Sequence, residues 1–89
     1  MTEQKIRLAA RIPSIRSRED LASFVGALRK DLETNRDDWE NPTLENFLEA
    51  MEAWIGSMDR FYSNKGQQVP QSPTWEMFAH ILHASKIYE

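Results

Sequence analysis

Cysteine is absent from these 89 residues, which excludes both a disulfide framework and a thiolate zinc site. No apolar run approaches the roughly 20 residues that a membrane-crossing helix needs. The opening residues, MTEQKIRLAARIPSIRS, lack the continuous apolar stretch of a secretion signal, so a cytoplasmic protein is expected. Glycine is scarce: Gly26, Gly56 and Gly66 are too far apart to form a phosphate-cradling loop. Without cysteine, nucleophilic catalysis would fall to a serine or threonine beside a base, and no serine has the strand–turn setting that exposes such a nucleophile. These absences lead to the expectation of a protein that is not an enzyme and carries no cofactor.

The composition that remains, 40% hydrophobic and 28% charged, is that of a globular chain. It is one domain's worth, residues 1–89. At this size folding buries only about 60–65% of the surface of the unfolded chain, so the margin of stability is narrow. The net charge of −3 hides an asymmetry: residues 1–18 hold Lys5, Arg7, Arg11, Arg16 and Arg18 against Glu3, a balance of +4. The remaining residues therefore sum to −7. Nucleic-acid binding needs a contiguous basic footprint, so an acidic body argues against it as the main partner, and the basic N-terminal arm either touches RNA or an acidic protein or lies on the acidic body of its own chain.

Hydrophobic periodicity predicts an all-α fold, a small bundle of three main helices at about 18–34, 42–62 and 73–87. Ser17 with Asp20 three residues later forms a start like a capping box, and Leu21, Phe24, Val25, Leu28 and Leu32 come after it at helical spacing. Asn41-Pro42 and Ser72-Pro73 each read as an N-cap followed by proline at the first helical position. The middle helix is expected to be the central, uninterrupted rod, with Leu44, Phe47, Leu48, Met51, Trp54, Ile55, Met58, Phe61 and Tyr62 on a buried arc. A strip of small side chains, Asn46, Ala50, Ala53 and Ser57, lies beside it. Trp75, Phe78, Ala79 and Leu82 form the stripe of the last helix, broadened by Met77, Ile81 and Tyr88, and the ten-residue loop before it allows the helix to run in either direction. Residues 1–15 are a basic arm or a short helix: Thr2 could cap a helix over Glu3–Arg11 with Ile6, Ala9 and Ala10 inward, although Ile6, Leu8, Ala10 and Ile12 also alternate as in a strand.

Three tryptophans frame the functional question. Trp54 and Trp75 sit on apolar stripes and are expected in the core. Trp39 stands outside any helix among Asp37, Asp38 and Glu40, and either folds back to seal the core or presents its ring to a partner.

The stretches "SREDLASFVGALRKDL", "WENPTLENFLEAMEAW" and "SPTWEMFAHILHASKIYE" together resemble a family of small bacterial proteins of unknown function. The resemblance covers about residues 16 to 89, on Trp39, Asn41, Leu44, Leu48, Glu49, Trp54, Trp75, Ala79, Leu82, Ala84, Tyr88 and Glu89; residues 1–15 depart from it. It implies a bacterial, all-α domain and offers no catalytic residue to transfer.

Two groups of residues invite chemistry. Glu76, His80 and His83 share a face of the last helix, as weak candidates for a metal site, since imidazole is a good zinc ligand but a site wants three or four ligands. Glu45, Glu49 and Glu52 line the middle helix without the apolar cleft that would drive their pKa values apart for acid–base work. An acidic face can instead select a basic protein partner and speed encounter. The expectation is therefore a protein-interaction module with Trp39, Glu45, Glu49 and Glu52 as partner-binding residues and the partner unidentified. Alternatives are an immunity-like inhibitor of a basic toxin, a self-associating structural protein whose small-residue strip accepts a second copy, and a metal-binding protein. Monomer and homodimer both remain open.

Overall fold

In a computed structural model, described for residues 8–88, the chain is all-α, with no strand among the described residues. Residues 8–11 are helical and run into a 3-10 turn, Ile12–Ser14. Four helices come next: α1 (Arg18–Thr34), α2 (Leu44–Gly56), α3 (Met58–Asn64) and α4 (Trp75–Ile87). A second 3-10 turn, Arg36–Asp38, links α1 to Trp39. Among the described residues no helix is long and apolar enough to cross a membrane.

The last helix, not the middle one, is the centre. α4 packs against α1 on one side, α2 on the other, and the N-terminal 3-10 turn, while α1 and α2 barely touch one another. Asn41 meets Ser85 and Tyr88 at the end of α4, and Phe61 meets His80 about a turn and a half further back, near its middle, so α2–α3 run antiparallel to α4. Asp31 at the end of α1 pairs with Lys86, and Ile15 and Arg16 lie beside Trp75 and Phe78, so α1 runs parallel to α4.

Of the expected helix starts, the first holds: Ser17 Oγ accepts from Asp20 N at 3.1 Å, and Asp20 Oδ2 accepts from Arg16 N. The other two move. Thr43 caps α2 by accepting from Asn46 N, and Thr74 caps α4 by accepting from Met77 N. Both prolines thus precede the cap. A hydroxyl is available immediately after each proline, and Asn41 is drawn off to another task.

The expected rod over 42–62 is broken. Gly56 has low helix propensity, and Ser57 competes for the backbone by donating its hydroxyl to Ala53 O at 3.0 Å. Its φ/ψ of −121°/15° ends α2, and α3 restarts at Met58. Gly–Ser pairs are a recognised origin of sharp helix bends. Here the bend keeps α3 on α4, burying Tyr62 and setting Phe61 against His80 at 4.8 Å.

The buried arc of α2 is also rotated from expectation. Ala50 and Trp54 are its buried residues, because α4 docks on the small side chain at 50 and the indole at 54. The N-terminal segment inserts Leu8, Ile12 and Ile15 into the core with Phe24, Leu28, Trp39 and Ala79. Its inward register is therefore 8, 12, 15, and Ala9 and Ala10 face outward; the expected position of Ile6 and the cap at Thr2 lie outside the described residues.

Candidate interaction groove

α1 and α2 both lean on α4 without closing on each other, and a groove of about 330 Å³ lies between them. Val25, Leu28 and Leu32 of α1 form one wall, Leu44 and Phe47 of α2 the other, with Leu82 of α4 and Trp39 also lining it. Its open surface is mostly apolar, with Arg29, Asn41, Pro42 and Thr43 completing the lining.

A buried polar lock fixes the groove's inner end. Asp31 is 0% exposed and Lys86 is 1% exposed. Their ion pair spans 2.6 Å between Lys86 Nζ and Asp31 Oδ2. The same oxygen accepts from Trp39 Nε1 at 2.9 Å, and Asp31 Oδ1 accepts from Asn35 Nδ2 at 2.9 Å. Burial by itself would push the Asp31 carboxyl up, but the hydrogen bonds from Lys86, Asn35 and Trp39, with the lysine's charge, hold its pKa below the ordinary carboxylate value. Lys86 Nζ also sits 5.4 Å from the Trp39 ring centroid. Beside it, Asn41 donates its side-chain amide to Ser85 O and Tyr88 O, and its backbone N–H to Lys86 O, using the carbonyls that the end of α4 leaves open. Among the described residues no buried side-chain N or O atom lacks a partner.

Trp39, a candidate for partner binding, is therefore turned inward: its ring is buried, stacks on Phe47 at 6.1 Å between centroids, and its N–H is consumed by Asp31. It seals the core edge. Trp54 is in the core as expected, whereas Trp75 is 42% exposed and leans on the equally exposed Phe78. Ala79 and Met77 of the expected stripe are buried and Leu82 packs against the core, but the burial extends to Ser85 and Lys86.

Glu45, Glu49 and Glu52 are exposed on α2. Next to them lies a feature that the expected buried arc concealed. Leu44, Leu48 and Ile55 are 69%, 51% and 44% exposed, and with Met51 they occupy an arc of about 60° at 100° per residue. The stripe runs between the acids on one side and the buried residues Ala50 and Trp54 on the other.

On the opposite side of α4 a second recess, of about 460 Å³, is lined by Trp54, Phe61, His80, His83, Ala84, Ile87 and Tyr88. Burial lowers the His80 pKa, with Lys65 adding to the effect, against the opposing Glu76 carboxylate. Burial, then the charges of Lys86 and His80, lowers that of His83, with Asp31 opposing. His80 Nε2 faces Glu76 Oε2 at 3.5 Å. Yet Glu76, His80 and His83 do not assemble into a metal site: among the described residues no group of three His, Asp or Glu side chains could hold an ion. Glu76 reaches His80, which also packs on the Phe61 ring at 4.8 Å, but the three side chains do not converge on one point.

Asp31 and Lys86 are the residues that sequence reasoning passed over, whereas Leu44, Leu48 and Ile55 were expected inside and lie outside. A signal existed for the pair: Asp31 falls three and seven residues after Leu28 and Phe24, and Lys86 seven after Ala79, so both charges sit on core-facing stripes.

A family model described as "Family of unknown function (DUF7660)" matches residues 17–89. The chain belongs to that family. The matched region begins at the Ser17 cap and takes in all four numbered helices, so the groove and its polar lock lie within it. Neither the search of curated proteins nor the search of solved structures found a match.

Proposed function

We propose that this domain is a non-enzymatic protein-interaction module that works from the solvent side of α2. The observation that supports this most is the alignment of Leu44, Leu48 and Ile55, all well exposed, beside Glu45, Glu49 and Glu52 on the same helix. Exposed leucines scattered singly mean little, but an apolar line that continues into an apolar groove is what binding surfaces present. The carboxylates add charge selection and faster encounter with a cationic partner. Binding of this kind asks for no nucleophile, metal or cofactor.

Affinity capture from an extract of the source cells tests the proposal. Wild-type protein should retain a basic polypeptide that the triple variant E45K/E49K/E52K does not. Equal retention by both proteins would show that the acidic face plays no part.

The self-association reading based on small residues is weaker. Ala50 is buried, and Ser57 Oγ lies 3.2 Å from Tyr88 Oη, so half of that strip is used within the chain and only Asn46 and Ala53 are exposed.

A further inference from the structure

We infer that the stripe on α2, with the groove at its Leu44 end, receives an amphipathic helix from another polypeptide, one carrying lysine or arginine along one edge. The inference rests on the interaction-module reading and names the partner's chemistry. Leu44 to Ile55 spans about 16 Å, three helical turns, which matches apolar anchors spaced i, i+4, i+7, i+11 on an incoming helix. Such a helix would lay its anchors on Leu44, Leu48, Met51 and Ile55.

Charge decides between possible occupants. Glu45, Glu49 and Glu52 lie along one border of the stripe, and α2 contains no lysine or arginine. Of the cations at the groove, Arg29 of α1 already faces Glu33 at 3.4 Å and Arg36 donates to Pro42 O at 3.2 Å. A second copy packing stripe to stripe would bring three more carboxylates and no cation from its own α2. A helix with a basic edge would instead place a cation beside each acid.

Synthetic peptides of about 18 residues supply the probe. One carries leucines at the stated spacing with lysines along one flank, one has those lysines changed to glutamates, and one keeps the lysines with the leucines changed to serines. Anisotropy titration should show the Leu/Lys peptide binding at least about tenfold tighter than either control. The variant L44S/L48S should lose that binding while melting as the wild type does, since both side chains are exposed; E45K/E49K/E52K should reverse the preference between lysine and glutamate peptides. Equal affinity for the lysine and glutamate peptides would overturn the inference. So would binding that L44S/L48S leaves intact, although the acidic-face reading would survive that result. A concentration-dependent mass in sedimentation, abolished by L44S/L48S, would assign the stripe to a second copy instead. If no peptide binds but extract capture still depends on the three glutamates, the helix inference alone falls; if both fail, the module reading falls with it.

Discussion

The two flanks of α4 handle buried polarity in opposite ways. Toward α1, a full ion pair, Asp31–Lys86, is withdrawn from water with its hydrogen bonds filled by Trp39 and Asn35. Toward α2 and α3, His80 and His83 are partly withdrawn and held toward the neutral form. A buried charge survives only where a partner and further hydrogen bonds stand ready, and otherwise the group gives up its charge. The first flank joins elements distant in sequence and sets the loop that lines the groove. The second is adjustable, because protonation remains within reach.

The sharpest way to break this contrast is Lys86→Met. It leaves Asp31 buried without its cation, and should cost about 3–5 kcal/mol out of the roughly 5–15 kcal/mol typical of a whole domain. Urea unfolding would measure it. Adding Asp31→Leu should recover part of the loss, since no lone charge then remains. Recovery should stop short of wild type, because Trp39 Nε1 and the Asn35 amide would lose their shared acceptor. A loss below about 1 kcal/mol for Lys86→Met would place the pair in the class of surface salt bridges.

Trp39→Phe probes the same flank more gently. It removes one donor from Asp31 and part of the contact with Phe47, while Lys86 and Asn35 stay in place. A loss of about 1–3 kcal/mol is expected by the same urea measurement.

These two positions also mark where the sequence was legible and where it was not. α1 and its Ser17 cap could be read because the serine, the acid and the apolar period agree at one site. The place of Trp54 was readable for the same reason. Asp31 and Lys86 were not, since a pattern reading assigns charge to the outside, and only the juxtaposition of two helices 55 positions apart makes each the other's solvent. The caps were displaced by two residues because Asn-Pro-Thr and Ser-Pro-Thr each contain two competent cap side chains, and the tertiary use of Asn41 decides for Thr43. The stripe of α2 is apolar as expected but exposed: the strip of small side chains marks a second face that can pack, and nothing local says that α4 takes the Ala50 side in preference to the leucines. Hence the acids were visible as a candidate face, but the leucines beside them were not.

Acid titration separates the two flanks. The His80 and His83 pKa values are lowered in the folded state, so the unfolded chain binds more protons as pH falls below the ordinary histidine value of about 6.5. Stability should therefore decline from there toward the folded values. Asp31 has a depressed folded pKa, so its contribution is complete above the ordinary carboxylate value and is lost only as pH falls below it. Melting temperature against pH should show two separated stages, and H80Q/H83Q should remove the upper one alone. A wild-type profile flat between about pH 7 and 5 would contradict the uncharged state of the imidazoles.

The smallest effect concerns why α1 runs unbroken through Gly26 while α2 stops after Gly56. Both glycines are helical, and a Cβ added at either meets nothing within 4 Å. Neither has the positive φ that Gly66 adopts at 70°. The difference lies in the next residues along the chain: Ala27 and Leu28 continue a core stripe, whereas Ser57 turns its hydroxyl back to Ala53 and toward Tyr88. Gly26→Ala and Gly56→Ala should therefore each stabilise the domain by about 0.5–1 kcal/mol, through a smaller loss of backbone entropy. The bend should persist in Gly56→Ala, because the serine holds it, and Ser57→Ala should be the change that weakens the contact with Tyr88. If Gly56→Ala destabilises instead, the bend depends on glycine's own freedom, and the two helices differ for a reason internal to residue 56. Thermal melts of the two alanine variants, side by side, decide between these origins.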